Sequence, residues 1–130
     1  MKICLAGGGA FGKKHLDALA LIDGVEVVSL VGRRIEPTQE LAAKYGISHA
    51  ATDLAESLAM PEIDAVILAT PTGMHAAQGL AAMEAGKHVM IEIPMADTLA
   101  DSKALVAKQN ETGLVAMAGH VRRFNPSHQY

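Results

Sequence analysis

The chain has 130 residues, 11 basic and 14 acidic side chains, a net charge of −3, one cysteine and no tryptophan. Half its residues are apolar but only 3 % are aromatic, so a core is available and must be built from Ala, Val, Leu, Ile and Met. Collagen-like, disulfide-stapled and disordered chains are excluded, and the mildly acidic balance argues against nucleic acid as a partner. Cys4 stands alone, so no internal disulfide forms and a reducing compartment, the cytoplasm, is its simplest home. No apolar run is long enough to span a membrane, and glycines break the N-terminal apolar stretch too early for a signal peptide.

The first predicted strand, residues 3–6, runs into Gly7-Gly8-Gly9-Ala10-Phe11-Gly12, and a helix is predicted over 11–22. This G-x-G-x-x-G lies between a strand and a helix, with a second strand at 25–31, which is the setting of a dinucleotide-binding turn. There Gly7 makes the tight turn, Gly9 lets the backbone approach a pyrophosphate, and Gly12 brings helix and strand together. Ala10 and Phe11 open the helix, whose unpaired N–H groups favour an anion. The same six residues also read as a tight turn without a ligand.

After the strand 25–31 an NAD site normally places an acidic residue, about 20 positions past the glycines, on the ribose 2′-hydroxyl. Here the chain reads Gly32-Arg33-Arg34, with no carboxylate until Glu36. Paired guanidiniums clamp a 2′-phosphate and stack on adenine, so NADP is expected rather than NAD; two solvated surface arginines are the alternative. A helix at 36–45 stops at Gly46, and the strand 65–68 counts as the fourth, with no bounds given to a third.

The strand 65–68 leads to Thr70-Pro71-Thr72, a hydroxyl-bearing turn that meets ribose or nicotinamide, or in which Thr72 caps the helix 74–85. His75, in that helix's first turn, is expected to be neutral, because a helix N-terminus disfavours a cation. Gly86 stops the helix, and the strand 88–91 leads to Glu92-Ile93-Pro94, where Glu92 either bonds the nicotinamide end or is a solvated strand terminus. A helix at 98–112 starts at Thr98, which with Asp101 resembles a capping box, and ends at Gly113.

After the strand 114–118, His120-Val121-Arg122-Arg123-Phe124 concentrates positive charge. Arg122 and Arg123 suit a small anionic substrate, or an ion-paired interface with another domain. Asn125-Pro126 then reads as the N-cap and first residue of a helix with barely one turn left. Strands alternating with helices predict an α/β fold, a doubly wound parallel sheet. Residues 1–119 form the expected dinucleotide-binding domain, and 120–130 begin the connection to a C-terminal substrate domain. Cys4 and the seven methionines read as core. The six histidines are dispersed without ligand spacing, so no metal site is expected, and no carboxylate–histidine pair stands out as a general base.

The glycine turn, Ala69-Thr70-Pro71, His75, Ala85-Gly86-Lys87-His88-Val89, Glu92-Ile93-Pro94 and Arg122-Arg123-Phe124-Asn125-Pro126 together resemble the glucose–fructose oxidoreductase/inositol dehydrogenase family. The resemblance runs the whole length and implies that family's N-terminal Rossmann domain. It also implies a second domain that builds the substrate site and a homo-oligomer interface, and a cis bond before Pro94. The family usually reads Glu-Lys-Pro, with a catalytic lysine where this chain has Ile93. A subgroup that also reads Glu-Ile-Pro uses NADP to oxidise the cyclic hemiacetal of a ring-cleavage semialdehyde to 2-pyrone-4,6-dicarboxylate. That reaction is the activity the resemblance implies, with a sugar or polyol dehydrogenase and a non-catalytic NADP-sensing regulator as alternatives. Residues 1–130 alone are expected to bind cofactor without catalysing the reaction.

Overall fold

A computed structural model describes residues 1–128; Gln129 and Tyr130, the end of the expected connection, lie outside the described residues. Six strands form one parallel sheet: β1 (Lys2–Ala6), β2 (Glu26–Val31), β3 (His49–Ala51), β4 (Ala65–Leu68), β5 (His88–Glu92) and β6 (Ala116–Gly119). Their order is β3-β2-β1-β4-β5-β6, the doubly wound arrangement expected from the alternating pattern. Five α-helices join them: α1 (Ala10–Leu19), α2 (Ile35–Lys44), α3 (Leu54–Leu58), α4 (Thr72–Glu84) and α5 (Leu99–Thr112).

Alternation along the strands feeds two cores. Ile3 and Leu5 of β1 join Leu16, Leu30, Ala42 and Ile47, whereas Cys4 and Ala6 join Val66, Leu68, Met83, Ile91 and Leu105. Burial on both sides explains why the central strands read as continuous apolar runs. Chain order reverses between β1 and β4, and such a switch opens a crevice at the carboxyl edge of the sheet.

Several boundaries differ from the sequence pattern. The helix predicted to Ile22 ends at Leu19, because Leu21 and Ile22 donate to carbonyls three residues back and tighten the chain into turns. Strand β6 starts at Ala116 rather than Leu114, since His88 Nδ1 takes the Val115 N–H at 3.0 Å. Pro71, not Thr72, occupies the N-cap of α4; Thr72 is its first helical residue and caps nothing. Thr98 does cap α5, accepting from the Asp101 N–H at 3.1 Å and donating to its carboxylate at 2.7 Å. Pro126–His128 is a single 3-10 turn, with Asn125 Oδ1 accepting from the Ser127 N–H at 3.0 Å.

Candidate functional site: a dinucleotide cleft

The glycine turn is shaped by close approaches at two positions. Gly7 has φ 109° and donates to the Val31 carbonyl at 2.8 Å; a Cβ there would overlap the backbone of Ala69 on the neighbouring strand. At Gly12 a Cβ would overlap the Gly7 carbonyl oxygen, so the start of α1 rests directly on the turn. Gly9 is the N-cap of α1, no side chain caps that helix, and open space lies beyond Gly9. Gly7, Gly9, Ala10 and Phe11 line a cleft of about 980 Å³; Gly12 is buried behind them in its packing role. The uncapped first turn supplies donors for an anion.

Gly32, Arg33 and Arg34 line the same cleft on the β2 side. Both arginines are exposed, and neither makes an ion pair or side-chain hydrogen bond among the described residues. The turn that carries them is pinned from below. Thr38, 5 % exposed, donates its hydroxyl to the Arg34 carbonyl at 2.6 Å, and a Cβ on Gly32 would overlap that hydroxyl. Asp53 is also in the lining, but its Oδ1 accepts from the Ala55 N–H at 2.9 Å and caps α3.

Across the cleft stand Ala69, Thr70 and Pro71, with Thr70 donating to Gln78 Oε1 at 2.6 Å. Thr72 and His75, expected as cofactor contacts, lie outside the lining. His75 is 2 % exposed, with Nδ1 2.8 Å from the Pro94 carbonyl and Nε2 2.7 Å from the Thr70 carbonyl. It ties the two strand ends from behind. A neutral ring donates to one of these carbonyls, a protonated ring to both.

Glu92 and Ile93 stand beside the cleft rather than in its lining. Leu68 pairs with Ile91, so Glu92 follows in register with the cleft residue Ala69. The Ile93–Pro94 bond is cis, and Ile93 is exposed. Glu92 is 7 % exposed and accepts from His15 Nε2, on α1, at 2.7 Å. The sequence reading missed this carboxylate–histidine pair because its partners are 77 residues apart and only the fold joins them. It also missed Thr38, Leu41, Thr52 and Gln78 in the cleft, none of which carries a local motif.

Arg122 and Arg123 lie in the 3-10 turn Val121–Phe124, exposed and outside the lining, so the structure does not bring them to the cleft. Cys4 is fully buried, and burial pushes its thiol above the ordinary range, against smaller opposing hydrogen bonds with Ser57 and Ser29. Among the described residues no cluster of three or more His, Cys, Asp or Glu is placed to hold a metal ion. No helix among them is long and apolar enough to cross a membrane.

The cleft fits a dinucleotide: the uncapped α1 turn suits a pyrophosphate, and two cationic side chains suit a phosphate at one end. Comparisons with known proteins agree. Residues 1–120 match the oxidoreductase family with an NAD-binding Rossmann fold. The chain is 62 % identical to the 4-carboxy-2-hydroxymuconate-6-semialdehyde dehydrogenase of a Sphingobium species over 130 residues, all of this chain and 41 % of that protein. It is 33 % identical to the NAD(+) scyllo-inositol 2-dehydrogenase of Bacillus subtilis, covering 98 % of this chain and 38 % of that one. The crystal structure of scyllo-inositol dehydrogenase from Lactobacillus casei with NAD(H) and scyllo-inositol superposes with a TM-score of 0.93 at 26 % identity, over 100 % of this chain and 39 % of that one. The chain thus spans about two fifths of the length of these relatives. By sequence, sheet order and cleft, it belongs to the glucose–fructose oxidoreductase/inositol dehydrogenase family of oxidoreductases.

Proposed function

We propose that the chain is the NADP-binding part of a cytoplasmic dehydrogenase of aromatic catabolism. Its substrate would be the cyclic hemiacetal of 4-carboxy-2-hydroxymuconate-6-semialdehyde, and its product 2-pyrone-4,6-dicarboxylate. The observation that carries the reading is the 62 % identity to a dehydrogenase of that name across the whole chain. The Glu92-Ile93-Pro94 turn supports it over a sugar or polyol dehydrogenase, whose family pattern has lysine at the middle position.

In this reading the N–H groups of the α1 turn hold the pyrophosphate, while Arg33 and Arg34 neutralise a 2′-phosphate. Thr70 and Pro71 border the nicotinamide half, with Glu92 and Ile93 beside them. Nicotinamide, when bound, supplies the hydride acceptor. Ile93 has no ionisable group, so the hydroxyl proton leaves through another group. Arg122 and Arg123 would serve the substrate carboxylates from a second domain's side, and homo-oligomers would form through that domain. The test is an assay of the protein extended to its relatives' length, with the semialdehyde and with inositols, in NADP+ and in NAD+. Turnover of the semialdehyde with NADP+ is expected; turnover of inositols alone would overturn the substrate, and faster turnover with NAD+ the cofactor.

A further inference from the structure

Glu92 belongs to the Glu92-Ile93-Pro94 turn, but its partner His15 lies in no motif used above, and the pair joins α1 to the end of β5 beside the cleft. His15 is on α1, three residues past Gly12, and so moves with the glycine turn. Glu92 ends β5, in register beside the cleft residue Ala69. The two side chains are 16 % and 10 % exposed, so their 2.7 Å contact is largely shielded from water and is stronger than a surface pair. The same carboxylate lies against Gly119 of β6, where a Cβ would stand 3.3 Å from both Cδ and Oε1, the oxygen that His15 holds. Helix and edge strand therefore both confine Glu92.

Only one carboxylate oxygen is used. Glu92 makes no other side-chain hydrogen bond among the described residues, and no buried polar side-chain atom there lacks a partner, so Oε2 still reaches solvent. An ionised carboxylate accepts only, and a half-shielded, held one is a poor neighbour for anything but a donor. The carboxyl edge beside Ala69 is where the nicotinamide half falls when the pyrophosphate sits at the α1 turn, and that half offers the carboxamide N–H2 and ribose hydroxyls.

We propose that His15 is a positioning residue: it holds Glu92 so that Oε2 accepts a hydrogen bond from the ribosyl-nicotinamide half of the cofactor. The inference rests on the dinucleotide reading of the cleft but not on the choice between NADP and NAD. One helix thereby sets both the pyrophosphate and the nicotinamide end, and loss of His15 frees only the second.

The test compares whole cofactors with fragments that lack nicotinamide, by calorimetric titration of the chain with NADP+ against 2′,5′-ADP and NAD+ against AMP. His15→Phe keeps bulk and removes the donor; it is expected to weaken the whole cofactor about tenfold and leave the fragment unchanged. His15→Gln retains a donor and should recover most of the loss, while Glu92→Gln should reproduce it. Equal weakening of cofactor and fragment in both His15→Phe and Glu92→Gln, or no weakening in either, overturns the proposal. If His15→Phe does not fold, Glu92→Gln alone decides between the same two outcomes. Binding of NAD+ but not NADP+ by the unaltered chain overturns the NADP reading and leaves this test intact through the NAD+ and AMP pair.

Discussion

Arg33 and Arg34 line the cleft with no side-chain partner among the described residues, and Thr38 holds the Arg34 carbonyl. A charged hydrogen bond contributes about 1.5–3 kcal/mol, so removing both guanidiniums by Arg33→Ala, Arg34→Ala should weaken NADP+ about tenfold or more. NAD+ lacks the 2′-phosphate and should lose little. Calorimetric affinities for both cofactors check this, and equal weakening would make the arginines structural. Cys4 gives a prediction of a different kind. Burial raises its thiol above the ordinary value of 9.0, so the fold keeps the proton that the unfolded chain releases. Its contribution to stability is fully present below the unfolded value and is lost as the pH rises past it. Urea unfolding of Cys4→Ala and of the unaltered chain, at about pH 8 and about pH 10, should show the smaller alkaline loss in the variant. Tyr45, raised by its hydrogen bond to Asp17, and Lys108, raised by Glu111, titrate identically in both and cancel.

At the scale of elements, legibility followed length. Helix α5 announces itself by Thr98, Asp101 and the left-handed Gly113, and all three do what their chemistry requires. Thr98→Ala removes the acceptor for the Asp101 N–H and should cost about 1 kcal/mol, read as a lower urea midpoint with an unchanged slope. Strand β3 has three residues and α3 five, too few for any period to register. What holds them is tertiary: Ser29 bonds both His49 of β3, at 2.9 Å, and Ser57 of α3, at 2.8 Å, in the buried interior. Those hydroxyls look like loop residues in a sequence and like cross-links in the fold. The glycine turn and arginine pair could be placed from sequence because each is local to one βα unit. The His15–Glu92 pair could not, because its geometry exists only once α1 is laid across to β5.

At the scale of the whole molecule, the described residues form one large cleft suited to a dinucleotide. A second cavity of about 40 Å³, lined by apolar side chains such as Ile91, Leu105 and Met117, is too small for a dicarboxylated ring. Arg122 and Arg123 lie outside the cleft lining, Ile93 cannot take a proton, Asp53 caps α3, and the carboxylate that ends β5, Glu92, is held by His15. A positioned base contributes roughly 10²–10⁴-fold, and orientation of the substrate against the cofactor contributes more. The chain should therefore bind NADP+ saturably and form no NADPH from the semialdehyde. Calorimetric titration followed by an absorbance assay of the same sample checks both halves. Binding without turnover places the substrate site in the further length its relatives have, since this chain spans 41 % of the Sphingobium dehydrogenase. NADPH formation at a rate near that of the longer enzyme would place the base within these residues, and the dyad at the end of β5 would then be the first group to test, by Glu92→Gln.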